Sequence, residues 1–223
     1  MTERAVLYGY EGSTFTRMAR LALALKGVGY AFVEVAAWDG TRKIPEHRDR
    51  HPFAKVPVFR HGSFEIYETS AITRYVDESF PGPALQPAGA RERARMNQIV
   101  LVHDNYIQPC WVKVLASELI FNPLYGEAVD EELVLRTWPE ARHAAGVLEG
   151  LFADRTLEMP DLADIQLVPT VRYFSQLSQG AKIIAGGQRL SAWWRWIEGQ
   201  ALVREIVPPM KPLVETGAAE EES

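Results

Sequence analysis

The sequence predicts two units of different class: an α/β unit carrying a mixed four-stranded sheet over residues 1–80, and an all-helical bundle over 90–223, joined by a linker at 81–89. Three observations predict it. Strand-like and helix-like stretches alternate as far as residue 80, and no convincing strand follows. Pro81-Gly82-Pro83 and the stretch to Gly89 have the proline and glycine density of an interdomain linker. At 223 residues, 47% hydrophobic and 24% charged, the chain is long enough and ordinary enough for one large or two small globular domains.

The α/β unit opens with an apolar strand around Val6 to Tyr8 that breaks at Gly9 to Gly12. Met18, Leu21, Ala22 and Leu25 then recur at i, i+3, i+4 and i+7, which makes one buried helix face ending at Gly27. Ser13, Thr14 and Thr16 stand at the start of that helix, where backbone N–H groups lack partners and the dipole favours an anion. Tyr30 to Val35 is aromatic and β-branched, a second strand. The segment from Ala36 to Lys55 holds Arg42, Lys43, Arg48, Arg50 and Lys55 and has no period, so it is expected as a long loop of the kind that serves a site. Val56 to Phe59 and Phe64 to Tyr67 form a hairpin around His61-Gly62. Pro57 opens its first strand, and X-Pro frequencies alone do not assign a cis bond there. Glu68-Thr69-Ser70 precedes a helix carrying Ile72, Tyr75 and Val76, with Thr69 or Ser70 as its cap.

Beyond the linker a long helix is expected from Arg91 to Phe121, bent at Pro109, then a helical region from Asp130 to Phe152 kinked or split at Pro139. Asp161-Leu162-Ala163-Asp164 reads as a capping box opening an apolar helix. Ser191 is expected to cap the last well-marked helix, which carries Trp193, Trp194 and Trp196. The acidic end reads as a solvated tail.

A net charge of −5 and pI near 5.6 argue against nucleic-acid binding, which needs a concentrated basic footprint. One cysteine, Cys110, excludes a disulfide framework or dithiol pair, so the cytoplasm is the expected compartment. There is no signal-like or spanning stretch, hence no expected membrane partner. The five histidines lack metal-ligand spacing, and no metal is expected.

The motifs LYG (Leu7 to Gly9), STFTR (Ser13 to Arg17), HPFAKVP (His51 to Pro57), ETSAI (Glu68 to Ile72) and DLADI (Asp161 to Ile165), in this order, resemble the cytosolic glutathione transferase family over nearly the whole chain. The resemblance is to serine-type, phi- or theta-like or bacterial members. It implies a thioredoxin-like first domain that binds glutathione as cosubstrate and a helical domain that takes a small hydrophobic electrophile. It also implies a homodimer with a role in detoxification.

From the residues alone Ser13 reads first as a helix cap worth ~1 kcal/mol, and Tyr8 as a packed strand aromatic. The resemblance makes Ser13 the hydrogen-bond donor to the glutathione thiolate, with Tyr8 as its rival. It makes Val56, before Pro57, the residue whose backbone pairs with the cysteinyl part. Glu68 and Thr69 then receive the γ-glutamyl end, and Arg42, Lys43 and Lys55 meet the glycyl carboxylate. The electrophile pocket is expected to involve Tyr10, Glu11, His103, Tyr106, Ile107, Cys110 and Trp111, with core packing as the alternative for the helix residues. Glu11 stands where many members keep a turn proline, which would put a carboxylate near the thiolate and disfavour it. Two other readings of the fold remain: a non-catalytic glutathione or ligand carrier or interaction protein, and a glutathione-dependent isomerase or dehalogenase.

Overall fold

A computed structural model describes residues 4–35, 47–153 and 155–210. Arg42 and Lys43 lie outside these. The first half contains β1 (Ala5–Gly9), α1 (Thr14–Leu25), β2 (Ala31–Glu34), β3 (Val58–His61), β4 (Phe64–Tyr67) and α2 (Thr69–Ser79). The sheet runs β2-β1-β3-β4; β1 and β2 are parallel and the other pairs antiparallel, so it is the expected mixed four-stranded sheet.

Strand alternation sorts β1 onto two faces. Ala5 and Leu7 join Phe59 in the main core with Met18, Leu21, Ile72 and Val76 of the two helices, while Val6 and Tyr8 pack with Val58 on the other face. Each fully buried aliphatic or Met side chain of this kind contributes about 1.5–3 kcal/mol. Gly27, at φ 66°, follows α1 as the sequence predicts. The Val56–Pro57 bond is cis.

In the second half α3 (Ala90–Val102) runs on through His103–Ile107 and Pro109–Phe121 into a last turn, α4 (Asn122–Leu124). The extent matches the expected long helix, but the register of its hydrogen bonds does not. From His103 onward it is π-type: the Gln108 N–H donates to the His103 carbonyl and the Asn122 N–H to the Ser117 carbonyl, each five residues back. Pro109 has no N–H to offer a carbonyl four residues earlier, and the register changes around it.

Next come α5 (Glu131–Leu151), α6 (Leu162–Gln176), α7 (Ser178–Gly186), α8 (Gln188–Glu198) and α9 (Ala201–Ile206). Pro139 sits inside an unsplit α5. The capping box is present: Asp161 accepts from the Asp164 N–H at 3.2 Å, and Asp164 accepts from the Asp161 N–H at 2.9 Å. Asp164 also takes Arg155 and the Trp193 indole N–H, tying three segments to one buried carboxylate.

Two expected caps are corrected. α8 begins at Gln188, three residues before Ser191, whose hydroxyl donates back to the Gln188 carbonyl. Its free N–H groups are taken instead by Glu149 of α5, which accepts from Arg189 at 2.8 Å and Leu190 at 2.9 Å. The start of α2 carries no side-chain cap at all; the Ser70 hydroxyl donates to Asp104 at 2.8 Å.

The linker is strapped down. Lys26 and Asp77, 3% and 7% exposed, pair at 3.1 Å; Lys26 also donates to the Pro83 carbonyl and Asp77 accepts from the Leu85 N–H. Leu85 is buried and its carbonyl accepts from Leu162 at the start of α6. At Gly82 (φ 126°) a Cβ would lie 2.9 Å from the Lys26 carbonyl oxygen, so no larger residue fits.

Candidate active site

A cleft of about 490 Å³ opens between the first turns of α1 and α2, the loop before β3, the π-type helix and α6. Ser13 is the N-cap of α1, and its Oγ accepts the Thr16 N–H at 3.3 Å. That bond uses the oxygen's lone pair and leaves the hydroxyl hydrogen to point elsewhere, so capping and donation into the cleft coexist on one residue. The first turn of α1 has no acidic residue to offset its dipole.

The turn leading to Ser13 is fixed carbonyl by carbonyl. The Tyr10 carbonyl accepts from the Ser13 N–H at 3.0 Å, that of Glu11 from Arg17 Nε at 2.8 Å, and that of Gly12 from the Tyr173 hydroxyl at 2.7 Å. Tyr173 comes from α6, so the helical half holds the turn. Tyr10 closes over Gly12, where a Cβ would fall 2.5 Å from its hydroxyl. Burial first, then the neighbouring Tyr125 and Tyr173, push the Tyr10 phenol up to about 12, so it stays a donor.

Across the cleft lie Lys55, Val56 and Pro57, ahead of the β3 ladder that starts at Val58. Buried His51 and Ala54 join them. Burial lowers the His51 pKa, Lys55 adding to the effect and Glu68 opposing it. Glu68 and Thr69 line the cleft at the uncapped start of α2. Glu68 holds φ 70°, a conformation that non-glycine residues keep only when their surroundings impose it.

Asp104 faces the same place. It accepts from Ser70 at 2.8 Å and Gln166 at 2.8 Å and is 2.8 Å from His103 Nδ1. Burial raises its pKa, but the hydrogen bonds from His103, Gln166 and Ser70 outweigh that and hold the carboxyl below its usual range. His103 is buried, which lowers its pKa; neutral with the proton on Nδ1, it donates to Asp104 and accepts from Thr170 at 2.8 Å through Nε2.

The cleft thus gathers Ser13, Tyr10, Lys55, Val56, Pro57, Glu68 and Thr69 from the expected residues. Tyr8 lies elsewhere: its ring, on the other face of the sheet, is covered by the Arg50 guanidinium at 4.4 Å. Glu11 is exposed, outside the lining, and 3.6 Å from Arg20, so it does not set a carboxylate beside Ser13. The expected helix residues are not on the wall either. Ile107 is core, Trp111 stacks on Phe174 at 3.9 Å, and Tyr106 is exposed. Buried Cys110 has its thiol pushed up to about 12 by burial, with Glu140 adding, which makes it inert as a nucleophile.

The wall is instead Asp104, Gln108, Val112, Lys113, Ser117 and Phe121, with Tyr125, Gln166 and Tyr173. Among them Asp104, Gln108, Lys113 and Ser117 are polar and recur four or five positions apart, a signal present in the sequence. Among the described residues no group of three or more His, Cys, Asp or Glu is placed to hold a metal.

Comparison with known proteins matches residues 7–84 to the family model described as glutathione S-transferase, N-terminal domain. Glutathione S-transferase 4 of Zea mays is 28% identical over 225 residues, covering 99% of both chains. Glutathione S-transferase F10 of Arabidopsis thaliana is 28% identical over 196 residues, covering 86% of this chain and 91% of the relative. The structure of glutathione S-transferase I from mais in complex with an atrazine glutathione conjugate superposes with TM-score 0.80 at 21% identity, over 95% of this chain and all of that one.

Proposed function

We propose that the chain is a member of the glutathione transferase family, as the match of residues 7–84 and the relatives at 28% identity support, and that it conjugates glutathione thiolate to small electrophiles. The observation that carries the reading is the cap geometry of Ser13, a free hydroxyl hydrogen at an uncompensated helix N-terminus on the edge of the cleft. A free thiol has a pKa of about 8.5 and is mostly protonated at neutral pH. Ser13 has no accessible anionic form and does not remove the proton. It donates to sulfur, and with the α1 dipole it favours the thiolate, whose proton goes to solvent. Sulfur then attacks the electrophilic carbon; the S–C bond forms as the carbon–leaving-group bond breaks, and the leaving group departs with the bonding pair.

The rest of the cleft fits an extended peptide with two carboxylates and one ammonium. Val56 offers its backbone to the cysteinyl part. The bare N–H groups of α2 and the Thr69 hydroxyl take the γ-glutamyl carboxylate, while Glu68 and Asp104 take its ammonium. Lys55 meets the glycyl carboxylate. With Glu11 turned away from the cleft, the residue that most favoured a non-catalytic carrier does not act on the sulfur.

The same reading has the protein work as a homodimer in the cytoplasm, in detoxification. No described helix is long and apolar enough to cross a membrane. The test is retention on immobilised glutathione together with turnover of 1-chloro-2,4-dinitrobenzene. Both are expected. Retention without turnover of this or other electrophiles would make the protein a carrier, and loss of both would overturn the reading.

A further inference from the structure

We propose that the electrophile selected by this cleft is an apolar, ring-bearing molecule with an anionic group such as a carboxylate, and that Lys113 pairs with that group beside Gln108. The proposal rests on the transferase reading and names its second substrate.

It follows from what glutathione leaves unmatched. The peptide's ammonium has Glu68 and Asp104, and its carboxylates have the start of α2 and Lys55. Lys113 and Gln108 remain, both on the helical wall. Asp104 is anchored to Ser70 at the start of α2, and Lys113 stands nine positions further along the helix, toward Ser117 and Phe121. The charged groups at the glutathione end therefore do not neutralise it. Among the described residues no carboxylate pairs with Lys113 and no hydrogen bond engages it, whereas Lys26 and Arg155 are both paired. Lys113 is exposed to solvent on the cleft wall, and its unpaired ammonium gives that wall a positive potential that favours an anionic ligand.

Gln108 supplies the independent observation. It is 4% exposed, lines the cleft, and its Oε1 position is buried with no hydrogen-bond partner. Buried polar atoms without partners are rare, and this one belongs to a side chain on the cleft wall, whose amide can turn to complete its bonding with a ligand atom. Rotating the amide by 180° offers an N–H at that position, so Gln108 can donate to an oxyanion. Phe15, Val112 and Phe121 line the same cleft and are suited to a ring. The five-residue hydrogen-bond register is what brings positions 108 and 113 to one wall.

The experiment compares two glutathione conjugates that differ only in charge, those made from 4-chloro-3,5-dinitrobenzoate and from 4-chloro-3,5-dinitrobenzamide. Their dissociation constants are measured for the full chain and for Lys113→Gln, Lys113→Glu and Gln108→Leu. The unmodified protein is expected to bind the carboxylate conjugate about fivefold more tightly than the carboxamide. Lys113→Gln brings the ratio close to one, Lys113→Glu inverts it, and Gln108→Leu lowers it. Equal affinities in the unmodified protein, or a preference that survives Lys113→Gln, overturn the proposal while the glutathione site stands. Binding of neither conjugate overturns the transferase reading itself, and the proposal with it.

Discussion

Ser13 shows how one oxygen can cap a helix and still leave a hydroxyl hydrogen for the proposed chemistry. As a cap it accepts from Thr16, and as a hydroxyl it still has a hydrogen to give. The sequence made the residue conspicuous but could not separate the two roles, because both need the same position. Tyr8 is the instructive contrast. Period-two alternation in β1 puts it on the face with Val6 and Val58, and that face was decided by the partner strand, not by the strand itself. Tyr173 was not legible at all, since nothing local links it to Gly12, 161 residues away. Its hydroxyl braces the turn before Ser13, so Tyr173→Phe should lower kcat/KM by roughly two- to tenfold, the worth of one net hydrogen bond. It should also move the pH profile toward higher pH, which a merely structural loss would not do.

At the scale of elements, apolar spacing located the sheet, α1, α2 and the capping box of α6, because in each the signal is local. On the long helix it selected residues other than those that line the cleft, for a physical reason. At 3.6 residues per turn, Asp104 and Phe121 would point about 100° apart. The π-type register keeps them on one wall, and a search at the α-helical period selected His103, Ile107 and Trp111 instead. Only the ladder of polar side chains at Asp104, Gln108, Lys113 and Ser117, four or five positions apart, could have signalled it. The start of α8 failed similarly, its cap being supplied by Glu149 from another helix. Slight burial raises the Glu149 pKa, but the Arg189 and Leu190 N–H groups lower it by more. Glu149→Ala should cost about 1–2 kcal/mol, the range of an N-cap loss, read as a lower urea midpoint at unchanged m-value.

Over the whole molecule a single apolar core joins β1, α1 and α2 to the later helices, so the two halves share their packing, and Lys26 with Asp77 fastens the linker to both. The boundary near residues 80 to 90 is readable as proline and glycine density; the strap across it is not, because it depends on two charges 51 residues apart. At the junction of the halves His103 is buried and neutral, bonded to Asp104 and Thr170. Its pKa is lowered from the unfolded value near 6.5, chiefly by burial. Above that pH neither state binds the proton; below it the unfolded chain takes up a proton that the folded chain resists, so stability falls. Asp104, also lowered, adds the same sign at more acid pH as the unfolded carboxylate range is entered. The Asp164 carboxyl, its pKa raised by burial, works in the opposite sense, so the test is the difference in urea midpoint between the unmodified protein and His103→Gln, which should narrow from about pH 6.5 downward; a difference constant to pH 5 would contradict the buried network.

The central claim is that the Ser13 hydroxyl holds glutathione as its thiolate, and the pH dependence of kcat/KM for 1-chloro-2,4-dinitrobenzene in Ser13→Ala tests it most directly. The expected result is a fall of roughly 10- to 100-fold at neutral pH, the worth of a hydrogen bond to a charged group, with the apparent pKa of bound thiol moved up toward its free value. An unchanged profile in Ser13→Ala, with activity lost in Tyr8→Phe, would contradict it.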